Sequence, residues 1–496
     1  DLGEREKMRE LLKRHKKLWS TSNYDIGHFR CTIPRNNNQL LTSLTPSLSS
    51  SINGSIQKVK LTLADSTPIV EKYRNMSPAK RAAAEQILSE LERAKIISRK
   101  ASQFASQAVW VTKAAPELTI SRAKELGIPF VPGSKDPTAP RNLRFCQDYR
   151  LLNARLQSVN WPLPNIKGML ARLKDKKVVT LLDASHSFFC IELDEQSKLY
   201  TGFQTCERQY VMNRLAMGLK CSSGVLNACL ARTLAGLETV AFPYSDNIVV
   251  ASRDEATHTK DLGMVLAALE NHGWKFKLAK SHLGVTKKLR IFGMELDLER
   301  GYMAPDPTKA QALKNTKIPT TRKQLKSFLG GIGYFVECLP DIGAPLAILH
   351  EFTKETNQHG STIKWTEEGK QAFDKITRIL QRHNEVALPD WSLDFHLVTD
   401  AGPQHVASML TQINEKGRWV PIGFWTKKLS QAECNLSQVE REALAVVWGL
   451  RQTSYYTTHA KVFIHCDNRP FVLLKRFANQ SQKIARWKLF IESFDV

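Results

Sequence analysis

Residues 242–250, FPYSDNIVV, set aromatic and β-branched residues on either side of Ser-Asp-Asn. That order predicts two short strands joined by a tight turn, with Asp246 at its tip. Residues 178–191, VVTLLDASHSFFCI, predict another apolar strand, with Asp183 just after its first run. Ser77-Pro78 starts a helix in which residues 82–97 carry Ile87, Leu88, Leu91 and Ala94 at three- and four-residue spacing. Residues 219–237 and 258–273 predict two more helices, the second with Leu262, Val265, Leu266 and Leu269 on one side. Thr321 and Gln324 form a candidate capping box ahead of Leu325, Phe328 and Leu329. Residues 107–112, 395–399, 419–424 and 462–465 predict strands, with a link at 427–431. Between them EREALAVVWGL predicts a long helix with Glu442 near its start. Met8, Leu11, Leu12 and Leu18 suggest a short amphipathic helix within residues 1–20, and 38–56 read as an irregular connector.

Composition narrows the class. The chain has 496 residues, 42% of them hydrophobic and 24% charged, which suits three to five globular domains or subdomains. A formal net charge of +23 favours a polyanionic partner, nucleic acid first. No apolar run approaches the ~20 residues needed to span a bilayer, so no membrane partner is expected. The nine cysteines include no Cys-x-x-Cys, which argues against a structural zinc and suits a reducing compartment. The chain begins at Asp1, as expected of a processed or excised piece of a polyprotein.

Asp183 and Asp246 on neighbouring strands could share a pair of Mg2+ ions and drive phosphoryl transfer, although an aspartate in a turn is often purely structural. Tyr244-Ser245-Asp246-Asn247 stands where one family carries aromatic-X-Asp-Asp. Over about residues 60–496 the chain resembles the reverse transcriptase–RNase H region of a gypsy-like LTR retrotransposon or retrovirus-like Pol polyprotein. The implied fold is α+β: a right-hand polymerase followed by an RNase H-like domain. A lead-in (1–76) precedes fingers (77–154) with an inserted loop at 114–140. Palm (155–304), thumb (305–349), connection (350–393) and RNase H-like domain (394–496) follow.

The resemblance implies roles for particular residues. Asp183 and Asp246 are catalytic metal ligands, and Asn247 replaces the family's second acid of the motif. An asparagine brings no negative charge to offset a cation, so polymerase activity is expected to be strongly reduced. Lys113 and Arg144 would meet the incoming nucleotide's phosphates, Phe188 would act as a steric gate under the sugar, and Met217 would lie beside the nucleotide. Phe292, Gly293 and Met294 in RIFGME match the primer-positioning hairpin. Arg322, Lys323 and Lys326 would follow the duplex, although the same residues also read as a solvated face.

Asp400, Glu442 and Asp467 match a second metal-ligand set, of the nuclease, with Glu442 favoured over Glu440. The family's fourth acid lies on a closing helix after a strand like residues 489–496. The resemblance therefore implies a truncated RNase H-like α/β domain that lacks its final helix and is weakly active or inactive on the RNA of a hybrid. Two Mg2+ (or Mn2+) ions per active site, an RNA/DNA hybrid or primer-template duplex and a dNTP are the implied cofactors and partners. A homodimer or heterodimer is compatible with the resemblance. A protease and an integrase are expected beside it in a precursor, located in the cytoplasm, in virus-like particles or in the nucleus. The alternative is a non-catalytic nucleic-acid-binding or structural subunit.

Overall fold

The computed structural model describes residues 2–21, 25–29, 58–112, 124, 129, 143–157, 165–184, 186–205, 207–244, 246–354, 362–382, 384–467 and 482–496. The chain forms two compact units, one of residues 1–164 and 178–284, the other of 165–177 and 285–496. The stretch expected as palm, 155–304, is thus shared between them.

In the first unit, α1 (Leu2–Arg14) precedes α2 (Pro78–Arg93). Proline at the start of α2 sits where no N–H partner is needed. The helix ends at Arg93, short of the expected 97, because Ile97 opens β1 (Ile97–Arg99). β2 (Ser106–Thr112) pairs antiparallel with β3 (Leu143–Asp148), and Val111 lies opposite Arg144.

β4 (Val178–Asp183) is buried at its first five positions, which is why its sequence does not alternate. The strand does not continue through residue 191. His186 turns into the left-handed region (φ 66°), and Ser187–Cys190 forms a 3-10 turn. β5 (Phe203–Gln204) and β6 (Gln209–Met212) complete a sheet of order β1-β6-β5-β2-β3. After α3 (Ser222–Thr233) come β7 (Ala241–Tyr244), β8 (Asn247–Ser252), α4 (Glu255–Asn271) and β9 (His282–Val285). The second sheet has the order β7-β8-β4-β9, with β4, which ends at Asp183, and β8, which follows Asp246, at its centre.

A buried hydrogen-bond chain fastens α4 to that sheet. Ser252 Oγ donates to Asp261 Oδ2 (2.6 Å) and meets His258 Nδ1 at 3.1 Å. His258 Nε2 meets Thr180 Oγ1 at 2.7 Å, and that hydroxyl accepts the Gly284 N–H at 3.0 Å. The Ser252 proton goes to Asp261, so in a neutral ring Nδ1 carries the proton and donates to Ser252, and the Thr180 hydroxyl donates to Nε2. Burial holds the His258 pKa down to about 4.

In the second unit, β10 (Lys288–Ile291) and β11 (Met294–Asp297) form a two-residue hairpin. Both turn residues, Phe292 (φ 54°) and Gly293 (φ 70°), are left-handed, as this type of turn requires. β12 (Tyr302–Pro305) follows. α5 (Arg322–Gly333) begins with the expected capping box of Thr321 and Gln324. α6 (Gly343–Glu351) and α7 (Glu367–Gln381) lead to β13 (Val386–Ala387), which closes the sheet β10-β11-β12-β13.

Then come β14 (Phe395–Ala401), β15 (His405–Ile413) and β16 (Trp419–Lys428), the last running through the expected link at 427–431. α8 (Gln438–Thr457), β17 (Val462–His465) and α9 (Gln482–Glu492) complete the unit, with sheet order β16-β15-β14-β17. The expected strand at 489–496 is therefore wrong for its first residues: Leu489 to Glu492 are helical, because Ile484, Trp487 and Ile491 recur at helical spacing, share a core with Val446 and Leu450, and set α9 against α8. Only Asp495 makes a strand-like bridge, to Lys461. The described cysteines are all free thiols. Among the described residues no helix is long and apolar enough to cross a membrane.

Candidate functional site

Sheet register brings the first set of residues together. Asp183, the last residue of β4, lies directly opposite Asn247, the first of β8. One residue further, the Ala184 N–H donates to the Asp246 carbonyl at 2.8 Å. Asp183 is held from its other edge as well, its N–H donating to Ser281 Oγ (3.2 Å) and its carbonyl accepting the Lys277 N–H (3.1 Å).

The electrostatics beside these residues are cationic. The His186 pKa falls to about 4, first through burial and then through the charges of Lys277, Lys280 and Arg144, with Asp183 opposing them. Three basic residues therefore act on the same ring that senses Asp183. Lys277 and Lys280 were not foreseen from the sequence, since their loop carries no local signal beyond two lysines three apart. Of the two adjacent aromatics, Phe189 is buried and stacks on His186 at 5.8 Å, while Phe188 is half-buried.

Met217 is 46% exposed, on a loop held by Asn153, whose Nδ2 donates to the Gly218 carbonyl (2.9 Å) and whose Oδ1 accepts the Lys220 N–H (2.7 Å). Asp148 and Arg150 form a bidentate pair at the end of β3. Lys113 lies outside the described residues.

In the second unit, the side chains of Phe292 and Met294 are buried. Their hairpin is fastened to α5: the Tyr334 hydroxyl donates to the Phe292 carbonyl, and Met294 shares a core with Leu325 and Phe328. Gly293 stands close to Lys309 and Tyr334. On α5, Lys323 and Lys326 are exposed and Arg322 is half-buried.

The second acidic set rests on β14, α8 and β17. β14 and β17 run parallel with Val398 opposite His465, so Asp400 and Asp467 each lie two residues beyond a matched pair. Glu442 is 2% exposed, on the first turns of α8. Its carboxyl is pushed above the usual range by burial and by the charges of Asp400 and Asp467, while a hydrogen bond from Gln438 (2.9 Å) opposes the shift. Glu442 Oε2 is buried without a hydrogen-bond partner.

Glu440 faces elsewhere, closing the capping box with Ser437. Sequence reading missed that Ser437 and Glu440 already carry the capping signature. A cleft of about 430 Å³ opens beside Asp400, lined in part by Asp341, Lys375 and Thr426. Among the described residues no three His, Cys, Asp or Glu side chains close into a metal cage by themselves. An ion that takes part of its shell from substrate phosphates needs no such cage.

Comparison with known proteins agrees with this arrangement. The family described as reverse transcriptase (RNA-dependent DNA polymerase) matches residues 134–296. The RNase H-like domain found in reverse transcriptase matches residues 390–494. The chain is 29% identical over 375 residues to the retrovirus-related Pol polyprotein from transposon opus of Drosophila melanogaster, covering 74% of this chain and 37% of that protein. It is 26% identical over 361 residues to the Pol polyprotein from transposon gypsy of the same fly (71% and 34%). To the transposon Tf2-7 polyprotein of Schizosaccharomyces pombe it is 25% identical over 366 residues (72% and 27%). The chain thus spans about a third of these polyproteins' length.

The same fold occurs in the foamy viral protease–reverse transcriptase solved with double-stranded DNA: TM-score 0.77 at 17% identity, over 99% of this chain and 77% of that one. The structure of that protein with an RNA/DNA hybrid gives a TM-score of 0.73 at 17% identity, over 99% and 59%. With a right-hand polymerase fold and both sequence families matched in that order along the chain, this chain carries a reverse transcriptase domain followed by an RNase H-like domain and is similar to the Pol polyproteins of LTR retroelements.

Proposed function

We propose that the chain is an RNA-directed and DNA-directed DNA polymerase with an RNase H-like nuclease, and that its polymerase step is slowed by Asn247. The observation that carries this reading is the register of β4 and β8, which gathers Asp183, Asp246 and Asn247 at one end of a sheet. In the first site Asp183 and Asp246 would hold metal, and in the second Asp400, Glu442 and Asp467 would. The buried, unpartnered Glu442 oxygen and the mutual repulsion of the three acids suit a cation. When bound, two Mg2+ (or Mn2+) ions per site supply Lewis-acid activation of the attacking oxygen and charge neutralisation at the phosphate.

The protein's own groups do the rest. Arg144, Lys277 and Lys280 set positive charge where a triphosphate's leaving group develops its own, and Lys113 would add a further cation. Phe188 presents a ring beneath the sugar and discriminates against a 2′-hydroxyl, and Met217 packs beside the nucleotide. The turn of Phe292, Gly293 and Met294 offers its backbone to a primer strand, while Arg322, Lys323 and Lys326 offer charge to duplex phosphates. In this reading the chain works on a primer-template or RNA/DNA hybrid, in the cytoplasm within virus-like particles, as part of a precursor that also encodes a protease and an integrase.

Asn247 itself favours a second reading, a nucleic-acid-binding subunit without catalysis. Primer extension on an RNA template with Mg2+ or Mn2+, for the chain and for Asn247→Asp, decides between them. Extension by the Asp form alone supports the disabled polymerase. Duplex binding without extension by either overturns it in favour of the binding subunit, and equal rates overturn the role given to Asn247.

A further inference from the structure

Residues 2–29 lie outside both spans matched by the sequence families, and nothing in the sites above uses them. Their packing is directed at α4 and, through Trp19, at Phe276 just beyond it. Leu18 is fully buried, and Leu11, Leu12 and Trp19 pack on the same core as Leu182 and Ile248. Trp19 and Phe276 form a parallel bridge, in which the Ser20 N–H donates to the Phe276 carbonyl (2.8 Å) and the Phe276 N–H donates to the Leu18 carbonyl (2.9 Å).

Further contacts flank that seam: Asp25 with Lys275 at 3.1 Å, His15 with Glu270 at 2.6 Å, and the Phe29 ring 5.2 Å from that of Trp274. Gly27 approaches Gly273 so closely that a Cβ on it would stand 2.1 Å from the Gly273 carbonyl oxygen. In an extended segment the peptide groups of successive residues point to opposite edges. Phe276 turns both of its groups to the N-terminal segment, and Lys277 turns its N–H to the Asp183 carbonyl. One residue thus separates the N-terminal seam from the expected metal ligand.

We propose that residues 15–21 and 25–29 are a positioning brace for the polymerase site. By fixing Phe276 they fix the 277–281 segment, which holds the Asp183 backbone and carries Lys277 and Lys280. The inference rests on the polymerase reading above.

Ser20→Pro tests it, because it deletes the 2.8 Å donor while Trp19 (φ −89°, ψ 127°) already suits the residue before a proline. Ser20→Ala keeps the N–H, and Asp25→Asn, which removes only a charge, carries the test if the proline variant does not fold. The full chain with Asn247→Asp is read two ways: amide hydrogen exchange over residues 178–190 and 274–284, and single-turnover nucleotide addition against Mg2+ concentration. Ser20→Pro is expected to speed exchange in both stretches and to slow addition about five- to tenfold at unchanged duplex affinity. Ser20→Ala and Asp25→Asn should do so to a smaller extent.

Faster exchange confined to 274–284, or faster exchange in both stretches with unchanged addition, overturns the brace. Faster exchange in both stretches when the Asn247→Asp parent extends no primer retains the coupling to Asp183 and overturns the polymerase reading instead.

Discussion

An amide in place of a carboxylate changes charge while barely changing shape, so Asn247 can be exchanged without disturbing the pairing of β4 with β8. Asn247→Asp should raise single-turnover nucleotide addition by about 10- to 100-fold, the scale on which small misplacements act. Rapid-quench measurement at saturating metal checks it. Glu442 presents the reverse case. Its folded pKa is raised, so between the ordinary carboxylate value and the raised one the folded state binds more protons, and stability falls as pH rises through that window. Glu442→Gln keeps an acceptor for Gln438 and removes the repulsion from Asp400 and Asp467. At neutral pH it should raise Tm by about 2–4 °C while abolishing RNA cleavage, and the stability gain should vanish below the ordinary carboxylate range. A lower Tm at neutral pH would show that Glu442 is not strained by its neighbours.

Elements assign labour between neighbouring residues. On α8, Glu440 closes the cap and Glu442 faces the acids, because two positions along a helix turn a side chain by about 200°. Ser437→Ala should cost about 1 kcal/mol of stability, and Glu440→Gln, which a capping box tolerates, should leave cleavage intact; denaturant melts and a hybrid-cleavage assay read the two. α4 gives a pH dependence of opposite sign to that of Glu442. The His258 pKa lies at about 4, below the ordinary histidine value of about 6.5, so the unfolded state takes up the proton first. Stability of the first unit should therefore fall as pH drops from about 6.5 to about 4, and His258→Gln should flatten that part of a Tm-against-pH curve.

Such elements differ in how openly the sequence declares them. The strand at 462–465, the capping box at Thr321 and the turn at Asp246 are local, written in β-branched runs and cap residues, and they were legible. The 3-10 turn at Ser187 was not, because its SFFC run is apolar without a period and the left-handed His186 that ends β4 has no glycine to announce it. At 489–496 the family resemblance suggested a strand, whereas the helical spacing of Ile484, Trp487 and Ile491 carries α9 through Glu492. Of the first site, Asp183, Asp246 and Asn247 stood out by motif, but Lys277 and Lys280 enter it through tertiary contact alone.

For the whole molecule the dominant property is charge. With a net +23, duplex binding should weaken steeply with salt, by about 10³-fold between 50 and 200 mM. Fluorescence anisotropy across a salt series checks this, and a flat response would deny that phosphate contacts carry the affinity. The N-terminal seam has a consequence in time. His15 and Glu270 are 255 positions apart in the chain, so during synthesis at ~5–20 residues per second the first amphipathic helix waits on the order of ten to fifty seconds for its partner. Through that interval Leu11, Leu12 and Leu18 have nothing of their own to cover them. A ribosome-bound chaperone, or the slowing of aggregation at lower temperature, would govern how much of the newly made chain reaches the folded state.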